Sequence, residues 1–192
     1  MPRFSRLLVA ALALFAFAGA TPAQQTYTVD PVHSSVVFKS KHAGLGHVWG
    51  RFDAFGGSFT LDDADPAKSS FNIDVKADSV NTNQEKRDQH LRTPEFLNAK
   101  QFPAITFKST SVKKGDGNKL DVTGDLTLHG VTKPVTVSIE LIGKGEFPKG
   151  VARAGIEATF TVKTTEFGMK DNRPGVDDSI QLIVALEGTV NK

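Results

Sequence analysis

The chain has no cysteine. That absence excludes disulfides, thiol catalysis, cysteine-held zinc and thioether-linked haem together, and with them the lipid-modified cysteine of a bacterial lipoprotein. Tryptophan and tyrosine occur once each. The aromatic content is therefore almost all phenylalanine, which is large, apolar and without a polar handle. Long apolar runs are missing too, except at 7–18. That run follows Arg3 and Arg6 and precedes the small-residue sites Ala18-Gly19-Ala20 and Thr21-Pro22-Ala23. This is the pattern of a secretory signal peptide over 1–23, cut after Ala20 or Ala23. The run is too short for a membrane anchor, which needs about 20 residues. Surplus charge is also lacking. Removing Arg3 and Arg6 from the 23 basic residues leaves 21, matching the 21 acidic ones. Nothing remains to hold phosphates in excess, so nucleic acid is not an expected partner. The processed chain is expected in the periplasm or secreted, without stable membrane insertion.

Catalytic signatures are absent as well. There is no G-x-S-x-G, no P-loop and no H-E-x-x-H. "GLGHVWG" (44–50) has G-x-G-x-x-x-G spacing, but strands flank it on both sides, so it is not a nucleotide loop. Zinc needs three or four converging ligands. Of the histidines, His33, His42, His47, His90 and His129, the pair His42 and His47 flanks a Gly-rich turn rather than standing at helical spacing. No catalytic residue, metal or cofactor is expected.

What is present is alternation. "HSSVVFKSKH", "WGRFDAFGGSFTLD", "SFNIDVKADSV", "AITFKSTSV", "KLDVTGDLTLHG", "KPVTVSIELIGKG", "RAGIEATFTVKTTEFG" and "DSIQLIVALEGTV" read as eight long half-buried strands. Gly, Asp, Asn and Pro turns separate them, with tight hairpins at "KKGDGNK" and "HGVTKP" and a bulge or bend at Gly56-Gly57. Consecutive antiparallel strands suggest a meander, and eight of them close into a barrel without exposed edges. A two-sheet sandwich is the alternative. A barrel of this size is either filled by side chains or holds one ligand. Beyond the leader, most phenylalanines fall on inward faces, beside the small Ser34, Ser40, Ala77 and Gly124. Composition alone separates neither a packed core from an apolar tunnel.

One stretch breaks the alternation, "RDQHLRTPEFLNAKQFPAITF". Thr82 with Glu85 reads as a capping box, so a helix is predicted from near Asn83. Thr93-Pro94 predicts a second short helical turn over "EFLN". The insert joins strands three and four. Leu91, Phe96, Leu97 and Phe102 are expected to point inward as a lid, either plain closure of a barrel end or a gate. Arg87, His90 and Arg92 are placed either to meet a ligand's polar end or to tie the lid to strand ends, and Asp88 to neutralise an arginine.

Four blocks carry a resemblance: "YTVDPVHSSVVFKSKHAGLGHVWGRFDAFGGSF", "HLRTPEFLNAKQFPAITFKS", "VTGDLTLHGVTKPVTV" and "EFGM". In this order, over about 27–190, they resemble the YceI-like family of secreted bacterial proteins. The resemblance implies a lipocalin-like, all-β, eight-stranded antiparallel barrel over 24–192. It implies an internal tunnel for a polyisoprenoid or other long-chain lipid, a binding rather than enzymatic role, and pairing into homodimers. The wall candidates are Phe38, Phe52, Phe59, Phe71, Ile73, Val75, Phe107, Leu126, Phe160 and Val184. The lid or polar-end candidates are Arg87, His90, Arg92, Phe96 and Phe102. The rival readings are an enzyme acting on a bound lipid or quinone, and a ligand-free structural or stress-response barrel.

Overall fold

Between Ala152 and Lys163, Ala154, Ile156, Ala158, Phe160 and Val162 are buried or half-buried, and Glu157, Thr159 and Thr161 between them are exposed. Period-2 geometry puts the first set on one side of a strand and the second on the other. The computed structural model describes residues 24–170 and 175–190; the signal-peptide expectation lies outside them. Within them the chain forms β1 (Gln24–Val29), β2 (Ser35–His42), β3 (Gly46–Phe52), β4 (Phe55–Asp62), β5 (Ser70–Lys76), β6 (Val80–Asn81), β7 (Ala104–Lys114), β8 (Lys119–Leu128), β9 (Val131–Glu146), β10 (Ala152–Lys163) and β11 (Val176–Thr189). The α-helix among the described residues is α1 (Glu85–Leu91).

These strands make eight staves, because three staves are interrupted. β1 and β2 follow one another along β11, pairing Val29 with Gly188 and Ser35 with Ala185. β3 and β4 return along them, and β5 and β6 follow as a third stave. All the pairings are antiparallel, and the β1–β11 pairing closes the sheet. The result is an all-β, closed eight-stranded meander with the insert between the third and fourth staves. The sandwich alternative is excluded by that closure.

The short strand β1 is absent from the eight segments read by alternation, since only Tyr27 and Val29 are buried in it. Ser34 is not an inward small residue. Its hydroxyl donates to Asp30 O (2.7 Å) and accepts from Glu187 N–H (2.9 Å), holding the break between β1 and β2. Gly56-Gly57 carries no bulge, for the pairing with β5 runs through without a shift. Gly57 has φ 122° and a Cβ there would meet Asn72 O at 2.1 Å. The β8–β9 hairpin turns on His129 and Gly130, both at positive φ, as a two-residue turn requires.

Asp30 closes the same break electrostatically. His33 Nδ1 lies 2.8 Å from one carboxylate oxygen, and Arg153 bridges Asp30 and Glu187. The His33 hydrogen bond is the main reason the Asp30 carboxyl sits at about 2, with Arg153 and the Val32 N–H adding to it against burial. The folded value lies below the unfolded one of about 3.9, so the ionised form stabilises the fold above that pH. The contribution is lost as pH falls from about 4 towards about 2. Denaturant midpoints of Asp30→Asn and the parent chain are expected to converge across this window. Parallel pH slopes for the two proteins would refute the assignment.

Candidate functional site

The barrel interior is divided by height. The connections 63–69, 115–118 and 147–151 lie at one end; the turn 43–45, the insert, the turn 129–130 and residues 164–170 after β10 lie at the other. The first end is filled. Tyr27 stacks on Phe59 (5.2 Å between ring centres, 20°), and Phe59 on Phe71 (6.3 Å, 15°). Leu61, Val112 and Val122 are buried with them. Gly188 leaves the necessary room, since a Cβ there would stand 2.7 Å from Tyr27 Cβ and 2.8 Å from the Phe59 ring. Phe59 is thus the floor of the interior and not part of its wall. It is 1% exposed and separated from the open space by Phe71.

Above this floor lies a cavity of about 420 Å³, within the range of small-molecule sites. Phe38, Phe52, Phe71, Ile73, Val75, Phe107, Leu126, Phe160 and Val184 line it, as their inward phase requires. The Phe38 ring lies across Gly50, where a Cβ would be 2.2 Å from Cζ. Gly124 makes room for Phe107 in the same way and does not widen the cavity. Ala77 is buried in a one-turn 3-10 helix away from it. Val36, Ile105, Ala158, Ile180 and Leu182 also line the space and were missed. Carrying the alternation of Phe160 and Val184 along their own strands finds Ala158, Leu182 and Ile180.

Polar side chains gather at the insert end. Ser40 and His42 come from the end of β2; Thr82, Arg87, His90 and Glu95 come from the insert. The insert is built differently from its predicted form. Thr82 does not cap the helix; Gln84 does, its side-chain oxygen accepting from Arg87 N–H (2.7 Å). Asn83 stands at φ 59°, outside the helix. Thr82 instead donates from its N–H (2.8 Å) and hydroxyl (2.5 Å) to the buried Asp88 carboxylate. "EFLN" forms hydrogen-bonded turns and no second helix, with Leu97 N–H donating to Leu91 O (3.0 Å).

Of the lid candidates, Arg87, His90 and Phe96 line the cavity, together with Leu91 and Leu97. Arg87 donates to Thr82 Oγ1 (2.7 Å) and Thr82 O (2.9 Å). His90 Nε2 is 2.9 Å from Glu95 Oε2, and its ring meets Phe96 edge-on at 4.8 Å. Arg92 and Phe102 do not line the cavity. Arg92 turns away from the cavity and donates to Asp78 O (2.6 Å) and Val80 O (2.9 Å), bolting the insert to β6. Phe102 covers Gly130 and meets His129 edge-on at 5.1 Å, packing the β8–β9 turn.

The histidines are scattered: His33 on Asp30, His42 at the cavity, His90 on Glu95 and His129 on Phe167 O (3.1 Å). Among the described residues one acid–histidine group, Asp30, His33 and Glu187, has metal-like proximity. The Arg153 guanidinium already donates to both of its carboxylates.

A YceI-like domain matches residues 27–188. The chain is 42% identical over 179 residues to Protein YceI of Escherichia coli O157:H7, and 41% identical to Protein YceI of Salmonella arizonae, covering 93% of each chain in both cases. Its fold matches that of Burkholderia cenocepacia BcnA with a TM-score of 0.75 at 26% identity, over 83% of this chain and 98% of that one. A polyisoprenoid binding domain from Saccharophagus degradans matches in fold with a TM-score of 0.67 at 15% identity, over 86% of this chain and 98% of that one. By family match, identity and barrel alike, this chain belongs to the YceI-like family.

Proposed function

We propose that the protein is a carrier that holds a polyisoprenoid or similar long-chain amphiphile inside its barrel, working in the periplasm or outside the cell. The largely apolar cavity above the aromatic floor, with polar side chains gathered towards the insert, carries this reading. An isoprene unit has five carbons, and burial stabilises each by about 0.8 kcal/mol. A few units in the barrel outweigh the ordering of a flexible chain. The chain enters past the insert, with its polar end near Arg87, His90 and Glu95 and its tail towards Phe71. The description of the Saccharophagus degradans domain as polyisoprenoid-binding points the same way for a barrel of this fold. The role is binding, for transport, storage or protection, and no covalent step is assigned to the residues around the cavity.

The test is organic extraction and mass spectrometry of protein purified from its native compartment, followed by uptake of added polyprenol. A stoichiometric prenyl lipid or quinone is expected. A protein that comes out clean and also takes up no polyprenol would favour a barrel without a ligand.

A further inference from the structure

The β2–β3 hairpin carries features that ligand enclosure does not use. Residues 41–47 are all exposed. The turn is fixed by Leu45 N–H donating to His42 O (2.9 Å) and Ala43 N–H to Gly175 O (2.9 Å). At its tip Leu45 is 90% exposed, and Trp49, the single tryptophan, is 55% exposed. The register places Lys39 opposite Trp49 and Lys41 opposite His47 on the outer face. Lys39 Nζ lies 5.4 Å from the centre of the Trp49 ring. No aspartate or glutamate occurs between Asp30 and Asp53, and Asp53 pairs with Arg51 (2.6 Å) at the far end of β3. On the inner face of the same hairpin Ser40, His42 and Val48 line the cavity.

We propose that this hairpin docks the barrel on an anionic bilayer surface, with Leu45 and Trp49 in the interface and Lys39 and Lys41 against the headgroups. Each part suits that plane. An exposed leucine at a convex tip gains by leaving water. Tryptophan favours the boundary between headgroups and acyl chains. Lysine stems lie along apolar surface while their charges stay in water. The hairpin's own charges are of one sign and complement anionic lipid; the nearest acid on the neighbouring strand, Asp177, follows Val176, which pairs with His42. A single leucine and tryptophan offer far less than the roughly 800 Å² per partner of a stable protein interface. Docking here sets the end of the cavity lined by Ser40 and His42 against the membrane, so that a prenyl chain passes between bilayer and barrel without crossing water. That last step rests on the carrier reading; the docking itself does not.

The test uses the chain beginning at Gln24, which holds all the strands described, so that the leader does not contribute. Trp49 emission and co-sedimentation are followed with phosphatidylcholine vesicles with and without phosphatidylglycerol. A blue shift and sedimentation are expected with phosphatidylglycerol only, weakening as salt rises. Leu45→Glu, at a position too exposed to disturb folding, is expected to abolish both. Lys39→Gln is expected to weaken partition about fivefold. Equal binding to both vesicle types, no shift with either, or a shift that survives Leu45→Glu overturns the proposal. So does a shift that grows with protein concentration without vesicles, which would assign the hairpin to a second copy. Loss of docking with polyprenol uptake intact removes this inference and leaves the carrier; docking without polyprenol uptake does the reverse.

Discussion

A protein carrying Ala158→Trp is expected to stay folded and to lose most of its affinity for a long prenyl chain. Ala158 lines the cavity on β10 between Ile156 and Phe160, opposite Val184 on β11 and Ile139 on β9. An indole placed there enters open space, so the 1–3 kcal/mol usually lost on overfilling a core, about the scale seen for added methylenes, is not expected in full. The ligand bears the consequence. Displacing one isoprene unit forfeits about 4 kcal/mol at about 0.8 kcal/mol per carbon, close to a thousandfold in affinity. Thr159→Trp, one residue on and facing solvent, is the control and is expected to bind as the parent does. The pair is read by polyprenol titration beside thermal denaturation. If Ala158→Trp binds normally at an unchanged melting temperature, the chain does not pass Ala158. If it unfolds early, the barrel centre is packed and the rival of a filled core gains.

The barrel was legible in the sequence because the inward faces of most long strands repeat at period 2, β7 breaking phase at its bulge between Ser109 and Ser111, and a meander needs only local turns to connect such strands. The wall followed from the same phase. The phase says nothing about height. Phe59 and Phe71 have the same inward signature and stand opposite one another across β4 and β5, yet Phe71 borders the cavity and Phe59 does not, because the register of β4 against β1 stacks Tyr27 on it. That register is set by pairings between distant parts of the chain. The insert fails differently. Thr82 and Glu85 have the spacing of a capping box, but the buried Asp88 competes for the Thr82 N–H and hydroxyl, and the helix begins later, on Gln84. The charge of Arg92 is plain in the sequence; that its guanidinium reaches Asp78 O and Val80 O, away from the cavity, depends on where the insert lands.

Phe59→Ala tests the division between floor and wall from the other side, and it is expected to be the most destabilising single truncation in the interior. The ring lies between Tyr27 and Phe71 and against the bare backbone of Gly188. None of its faces opens on the cavity, so its removal leaves a hole that rigid neighbours cannot close. Phenylalanine truncations of this kind cost about 3–5 kcal/mol, a large share of the 5–15 kcal/mol typical of a whole domain, on the order of its entire margin at the low end. Phe160→Ala makes the contrast. That ring is half-buried and already borders the cavity, so its loss enlarges an existing space and removes fewer contacts. Equilibrium denaturation is therefore expected to show a much larger drop for Phe59→Ala, and polyprenol titration a larger loss for Phe160→Ala among the molecules that remain folded. Equal destabilisation by the two truncations would mean that the upper barrel is as tightly packed as the lower, and the distinction between floor and wall would fall.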